Sequence, residues 1–487
     1  MFHPMPDVNE LVSPYSLLVR YTPQRNRQKP KGMSAMPTEY FFISDMHIGG
    51  DGELENCDFE MELIDFLKHL ERKDDAELII NGDAFGLWEF TTLEGMEKLE
   101  ALIEQQSGLF EQFKATGSKI PITIMPGNHD YELACYPEYV DRLREYNLNL
   151  VQEVSITREV AGKKVWIEHG QQHDERNHMP EFGNPYAEPV GYFVTAGIVG
   201  TAGRYSEFGR GNWLKDVQAV MPITDIPTWM ISNYFYREMG PLLRLILLPF
   251  LLLFSLGFLV LLSWLLQAVG IFDFNLILDN PLTHSLGITG EVLRAVLLVE
   301  GILALLLFLA AIPAAIPLGL LYRDVRKTLE RYHVFKPKTP AKEADAPYLE
   351  AAREVFEHDP DVAVFVYGHT HIASLKELDR RVVISTGTWL KLPKKVPVLF
   401  GQLPPVYRPL FRLNYFKIAE EDGQVAIHYE RIEKKPPSEL TWTQRLLTFT
   451  RRLDKGAPIP ARTLVSSNSQ EDSVDRAGEE PPIGDLP

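Results

Sequence analysis

"IPITIMPGNHDYEL", residues 120–133, opens as an apolar run with β-branched residues and breaks at once into Gly127, Asn128, His129 and Asp130. A short, continuous apolar run suits a strand buried on both faces. Its polar tip could be a plain turn, because Gly and Asn suit tight reversals. That reading weakens as other strands of the chain end in the same way. "TEYFFISDMHIGG" carries residues 40–44 into Asp45-Met46-His47, and "AELIINGDAFGLW" carries residues 78–80 into Asn81-Gly82-Asp83. "KKVWIEHGQQHD" leads from 165–167 into His169, and "VAVFVYGHTHIA" from 362–367 into Gly368-His369-Thr370-His371.

Helical patterns fill the gaps between these strands. Phe59, Leu63, Phe66, Leu67 and Leu70 recur at helical spacing, and residues 348–356 make a helix opened by Pro347 and closed before Pro360. "YFKIAEEDGQVAIHYERI" reads as two alternating strands around Asp422-Gly423, a hairpin signal. The fold class is therefore α/β, mixed, with each sheet covered by helices or by a second sheet. In such folds ligands sit beyond the strand ends, where the connecting loops meet.

Collected there, the tips supply carboxylates, amide oxygens and imidazoles, with no thiol. That donor set suits borderline to hard divalent metals. It has enough donors for two ions, and an Asp shared between them holds a pair about 3.5–4 Å apart, the spacing that clamps an in-line phosphoryl displacement.

The chain resembles the calcineurin-like metallophosphoesterases, whose motifs run Asp-x-His, Gly-Asp, Gly-Asn-His-Asp or Glu, a lone His, and Gly-His-x-His. Here they stand, in that order, as Asp45-Met46-His47, Gly82-Asp83, Gly127-Asn128-His129-Asp130, His169 and Gly368-His369-Thr370-His371. The resemblance implies a β-sandwich flanked by helices and hydrolysis by a metal-bridging hydroxide. It also implies a first metal on Asp45, His47 and His371, a second on Asn128, His169 and His369, and Asp83 bridging them. His129 then faces the phosphate, with Asp130 beside it in the catalytic set. The cofactors expected are two divalent ions, manganese first, with iron or zinc as alternatives.

Relatives that hydrolyse UDP-2,3-diacylglucosamine read Gly-Asp-x-Phe-Asp-x-Trp at the second motif. In this chain Phe85 and Trp88 match, and Gly86 stands in place of the second Asp. Phe85 and Trp88 are thus candidate substrate residues. The polar run 171–177, with His173, Asp174, Arg176 and Asn177, could line the substrate site or be a plain solvated loop.

Lys and Arg number 49 against 66 Asp and Glu, a net charge of −17, so the broad basic surface of a nucleic-acid binder is absent and no nucleic-acid partner is expected. Two cysteines, Cys57 and Cys135, offer neither a disulfide framework nor a thiolate metal motif.

Two stretches, 245–267 ("LILLPFLLLFSLGFLVLLSWLLQ") and 301–321 ("GILALLLFLAAIPAAIPLGLL"), carry no charge and are long enough to be candidate membrane spans. The alternative is an apolar helical hairpin inside a soluble protein. Residues 268–293 hold no Lys or Arg, whereas Arg237 and Arg244 precede the first stretch and Arg323, Arg326, Lys327 and Arg331 follow the second. That asymmetry places both outer ends, and the catalytic halves attached to them, in the cytoplasm. Trp229, Tyr234, Phe235 and Tyr236 could form an interfacial belt or simply be packed. "LTWTQRLLTFTRRLDK" sets Trp442, Leu446, Phe449 and Leu453 on one stripe with Arg445, Arg451, Arg452 and Lys455 nearby, a membrane-surface or a core-facing helix.

The expected organisation is a disordered basic arm (1–38), a first phosphoesterase half (39–178), a juxtamembrane segment (179–240) and a transmembrane hairpin (241–323). A second half (324–435), an amphipathic helix (436–465) and a disordered acidic tail (466–487) follow. The expected function is a membrane-anchored dinuclear phosphoesterase partnered by the lipid bilayer and a phosphoester, with a lipid-linked nucleotide such as UDP-2,3-diacylglucosamine as the leading substrate. A tethered phosphodiesterase or protein phosphatase is one alternative; a non-catalytic metal-binding scaffold is another.

Overall fold

Tyr40 and Phe42 point to one side of their strand, Phe41 and Ile43 to the other, and all four are buried, so the sheet that holds them is covered on both faces. The computed structural model describes residues 37–51, 54–174, 177–179, 181–193, 213–220, 225–331, 345–435, 437, 439–449 and 458–465. The described residues from Thr38 onward belong to one unit. Most of the expected N-terminal arm and all of the acidic tail lie outside the described residues.

The first strands are β1 (Glu39–Ile43), β2 (Ala76–Asn81), β3 (Ile122–Met125), β4 (Leu148–Leu150), β5 (Ser155–Val160), β6 (Lys163–Glu168) and β7 (Val362–Tyr367). Those that follow are β8 (Ser374–Leu378), β9 (Arg381–Ser385), β10 (Leu392–Val398), β11 (Leu403–Leu410), β12 (Asn414–Glu421), β13 (Gln424–Arg431) and β14 (Arg462–Val465). A seven-stranded sheet runs β14-β13-β12-β1-β2-β3-β4 and a five-stranded sheet β5-β6-β7-β9-β8; β10 and β11 pair apart from both. The hairpin expected at Asp422-Gly423 is present: β12 and β13 pair antiparallel, and both turn residues take positive φ.

Tyr40, Phe42 and Ile79 from the larger sheet share one apolar cluster with Ile167, Val366 and Ile384 from the smaller, so the sheets pack face to face. The outer face of the larger sheet buries Phe41, Ile43 and Ile80 against helices α1 (Glu60–Leu70), α2 (Met96–Gln105) and α3 (Ser107–Gly117), which contribute Phe66, Leu102 and Phe110. Across the molecule, Phe365 and Tyr367 are covered by Tyr348 and Phe356 of a later helix, Ala346–His358. The result is a mixed α/β sandwich of two sheets flanked by helices.

Parallel pairing aligns the strand ends that matter. Ile43 sits opposite Ile80, Asn81 opposite Met125, and Ile167 opposite Val366. The two sheets join at these ends: Asn81 Nδ2 donates to the Glu168 carbonyl (2.8 Å) and the His369 N–H to Asp45 Oδ1 (3.1 Å).

Between β6 and β7 lie α4 (Ile226–Asn233), α5 (Pro241–Ala268) and α6 (Ile288–Arg331), with α7 the helix Ala346–His358 already described. α5 and α6 pack closely: a Cβ added to Gly257 would lie 2.9 Å from the Glu300 carbonyl oxygen, and one on Gly301 would lie 2.5 Å from Val260 Cγ1. Small residues are what permit such an approach between apolar helices. Among the described residues one helical stretch, Ile288–Ala311, is long and apolar enough to cross a membrane by length and composition, and Ser255–Ala268 is a shorter apolar stretch. The expected pair of full-length spans thus rests on one. Its position also differs: the uncharged stretch of the sequence begins at 301, whereas the helix begins at Ile288 and carries Glu300 turned inward against α5.

Candidate metal centre

Each strand tip turns sharply. Asp45 (φ 53°), His47 (46°), Asp83 (50°), His369 (65°) and His371 (58°) all adopt the left-handed conformation that L residues avoid. Such strain costs about 1–3 kcal/mol per residue and persists where the surrounding structure enforces it. Glycines make room for the convergence. A Cβ on Gly82, itself at φ 82°, would lie 2.3 Å from His169 Nδ1, and one on Gly127 would lie 2.2 Å from Asp83 Oδ1.

Asp45, His47 and His371 form one group of potential ligand atoms, and Asp83, His169 and His369 another. In the first, His371 Nε2 lies 3.3 Å from Asp45 Oδ1 and 3.3 Å from His47 Nε2. In the second, Asn128 Oδ1 lies 2.8 Å from His369 Nδ1. Asp83 faces both: its Oδ2 is 3.2 Å from His169 Nε2 and 3.5 Å from His47 Nε2. Its Oδ1 accepts the His129 backbone N–H (2.7 Å), which leaves Oδ2 as the shared atom.

The imidazoles are held by their other nitrogens. His169 Nδ1 meets the Asn81 carbonyl oxygen at 2.8 Å, so it donates there and leaves the Nε2 lone pair for the site. Asp174 Oδ2 takes His369 Nε2–H at 3.1 Å, leaving Nδ1 toward Asn128. His169 Nε2 is buried with no hydrogen-bonding partner despite its nearness to Asp83. That unpartnered ring nitrogen, aimed at the Asp83 carboxylate, fits a cation held between them. Burial would raise the Asp83 carboxyl, but the imidazoles of His169 and His47 hold it well below the usual carboxylate range. Burial lowers the His47 pKa well below its ordinary value, and His129 adds to the effect, so the ring stays neutral and able to bind a metal. For His169 burial disfavours the charge, yet Asp83 outweighs it and pushes the pKa up to about 10, so the site draws positive charge.

His129 flanks this centre. Its ring lies 4.2 Å from that of His47 and 4.4 Å from that of Trp88, centroid to centroid, and its Nδ1 is 2.9 Å from Glu89 Oε1. Burial works against a charged imidazole there, but the Glu89 carboxylate prevails and leaves the pKa raised. Sequence reasoning missed Glu89, which is buried and has Oε2 unpartnered. A Cβ on Gly86 would come 2.8 Å from that Oε2, so the departure at Gly86 leaves the space the Glu89 carboxylate fills. The one available sequence signal was this absence of a side chain three residues before a Glu.

Other expected site residues take different places. Asp130 is fully buried and accepts backbone N–H groups of Gly127 (2.6 Å) and Phe85 (3.2 Å), bracing the second motif against the third. Phe85 is corrected from candidate substrate residue to core residue: it is fully buried and stacks on Phe110 at 5.8 Å. Trp88 is buried between His129 and Tyr192. His173 Nε2 is 2.6 Å from Glu168 Oε1, and Asn177 Nδ2 donates to Asp174 Oδ2 at 2.7 Å. Arg176 lies outside the described residues.

Compared with known proteins, residues 40–243 match the family described as calcineurin-like phosphoesterase. The match ends at the foot of α5, before His369 and His371, which the fold returns to the same centre. No curated protein matches the chain. Among solved structures, similarity extends to an Entamoeba histolytica Vps29 single mutant at 8% identity, covering 82% of this chain and 99% of that one, TM-score 0.26. A predicted phosphoesterase from Streptococcus pneumoniae TIGR4 is similar at 9% identity over 83% of this chain and 97% of that one, TM-score 0.25. A protein of unknown function from Aquifex aeolicus is 21% identical over 27% of this chain and 60% of that one, TM-score 0.19. On the match over 40–243 and the ligand geometry together, the chain carries a calcineurin-like phosphoesterase domain, the domain of a phosphoester hydrolase.

Proposed function

We propose that this protein is a membrane-anchored, cytoplasm-facing phosphoesterase that uses two divalent cations to hydrolyse a phosphoester or pyrophosphate bond of a lipid-linked substrate, a nucleotide lipid such as UDP-2,3-diacylglucosamine being the leading case. The observation that carries the hydrolytic part is the single Asp83 oxygen facing both ligand groups. Bound there, a divalent pair supplies positive charge for a phosphoryl group and makes water a stronger acid near neutral pH. Imidazole and carboxylate donors without thiolate suit manganese, iron and zinc, manganese being the first candidate. Asp83 is fixed by the His129 N–H, and His129 by Glu89, so the imidazole keeps Nε2 to give or take a proton at the reacting oxygen.

The lipid part is supported by where the insertion enters. α5 and α6 interrupt the chain between His169 and His369, so both sides of the insertion are anchored at the metal centre. An acylated substrate favours the bilayer by about 0.8 kcal/mol per buried CH₂, which suits an enzyme held at that interface. The cytoplasmic orientation is supported by the basic residues outside the hairpin and their absence from 268–293.

Replacing residues 241–323 with a short Gly/Ser linker tests the reading against rates on a long-chain nucleotide lipid and on a soluble phosphodiester. The expected result is selective loss of the lipid activity with metal content retained. Equal rates lost or kept on both substrates would instead favour a simple tether on an enzyme of soluble phosphoesters.

A further inference from the structure

Helix α8 (Trp442–Thr448) is packed with its polarity reversed. Gln444 and Thr448 are buried, at 1% and 3% exposure, while Trp442 (74%), Leu446 (62%) and Phe449 (86%) face outward. The outward residues follow i, i+4, i+7 spacing, so they form one continuous stripe. Burying the polar face is tolerated because its groups are satisfied locally: Gln444 Oε1 accepts the Thr441 N–H (2.9 Å) and Thr448 Oγ1 donates to the Gln444 carbonyl (2.7 Å). A helix whose only purpose was to complete the core would be turned the other way.

Its position identifies the occupant. Leu447 of α8 and Leu248 and Leu251 of α5 pack into one cluster with Tyr236 and Val406, on the β10–β11 hairpin that stands outside both main sheets. The stripe therefore lies beside the foot of α5, from which the chain runs into the apolar hairpin. Ile231 and Tyr234, at the end of α4 next to that foot, are exposed as well. Arg445 lies within α8, and Arg451, Arg452 and Lys455 follow it in sequence. Trp and Tyr at the boundary, an apolar stripe and a basic flank are the composition of a surface that lies in a lipid headgroup layer.

We propose that α8, with the adjoining end of α4, is a second, peripheral membrane contact: it rests on an anionic bilayer surface and fixes the tilt of the catalytic domain over the lipid. The proposal rests on the reading that α5 and α6 enter a bilayer. It adds a defined domain orientation, with the stripe of α8 immersed at headgroup depth.

The test uses the full chain in a Cys57→Ser, Cys135→Ser background, reconstituted in bilayer discs containing anionic phospholipid, with a spin label at Phe449→Cys or, as a second variant, Leu446→Cys. A label at Leu306→Cys, on the exposed face of α6, reports on the hairpin itself. Collision with oxygen, which concentrates in lipid, is compared with collision with a water-soluble nickel chelate. At 446 and 449 oxygen is expected to exceed the chelate severalfold. Lipid exposure at 306 with aqueous exposure at 446 and 449 overturns the peripheral contact alone. Aqueous exposure at all three overturns the membrane reading and this proposal with it. Protection of 446 and 449 from both reagents would mean that another protein copy covers the stripe, and would equally overturn it.

Discussion

Asp83→Asn is expected to lower cation occupancy at both sites at once and to reduce hydrolysis by at least about 10²–10³-fold, the loss usual for removing one preorganised charge-stabilising group. The amide puts a neutral, weaker donor in place of the one carboxylate whose Oδ2 faces His47 at 3.5 Å and His169 at 3.2 Å. It also removes the negative charge that draws cations to two groups of imidazoles. His47→Ala is the contrast, because that side chain belongs to the group of Asp45 and His371, and its loss is expected to deplete mainly one site. Elemental analysis of the purified variants separates the two patterns. Full occupancy by two ions in Asp83→Asn would refute the shared position.

The second large effect concerns His129. Its replacement by Ala is expected to cut turnover by about 10²–10⁴-fold, the range for a positioned proton-transfer group, while metal content stays intact. Asn128→Ala, one residue earlier, should instead deplete the second site, because Oδ1 sits 2.8 Å from His369 Nδ1. Glu89 carries part of the same effect. Glu89→Gln keeps the shape but loses the charge that holds the His129 ring, and an intermediate loss of about 10–100-fold is expected, as for other outer partners of site histidines. Gly86→Asp alone should be harmful, since the new side chain would meet Glu89 Oε2. Combined with Glu89→Ala it should recover part of the lost rate, because Gly86 has a negative φ and the neighbour that remains close, the His47 carbonyl oxygen at 3.2 Å, is less crowded than Glu89 Oε2. If His129→Ala lost metal as readily as Asn128→Ala, the division between ligand and proton-transfer group would be wrong.

The residues that converge on the candidate metal centre were legible in the sequence because each closes an apolar strand, and a strand end fixes where its next residues go. Residues 362–367 and the Asp422-Gly423 turn are where periodicity and turn chemistry place them. What stayed hidden has physical reasons. Left-handed conformations at Asp45, His47, Asp83, His369 and His371 leave only a faint trace in residue type: Asp and His are enriched there, but both are equally at home in ordinary turns. Phe85 has the composition of a substrate wall, but its ring is drawn to Phe110 by packing from a distant helix. Strands β10 and β11 carry Pro393, Pro397, Pro404, Pro405 and Pro409, which argue against a strand in any central position and fit a separate two-stranded pair. The start of α6 was obscured by Glu291, Arg294 and Glu300: a charge-free window excludes them, whereas the helix turns Glu300 inward.

Two cations sharing one carboxylate have a direct signature. The metal-stripped full chain is titrated with manganese, and its electron paramagnetic resonance spectrum is followed together with bound metal per chain. The prediction is two equivalents bound and an exchange-coupled dimanganese spectrum that disappears in Asp83→Asn. Binding of a single equivalent, or two equivalents giving only isolated mononuclear signals, would contradict it.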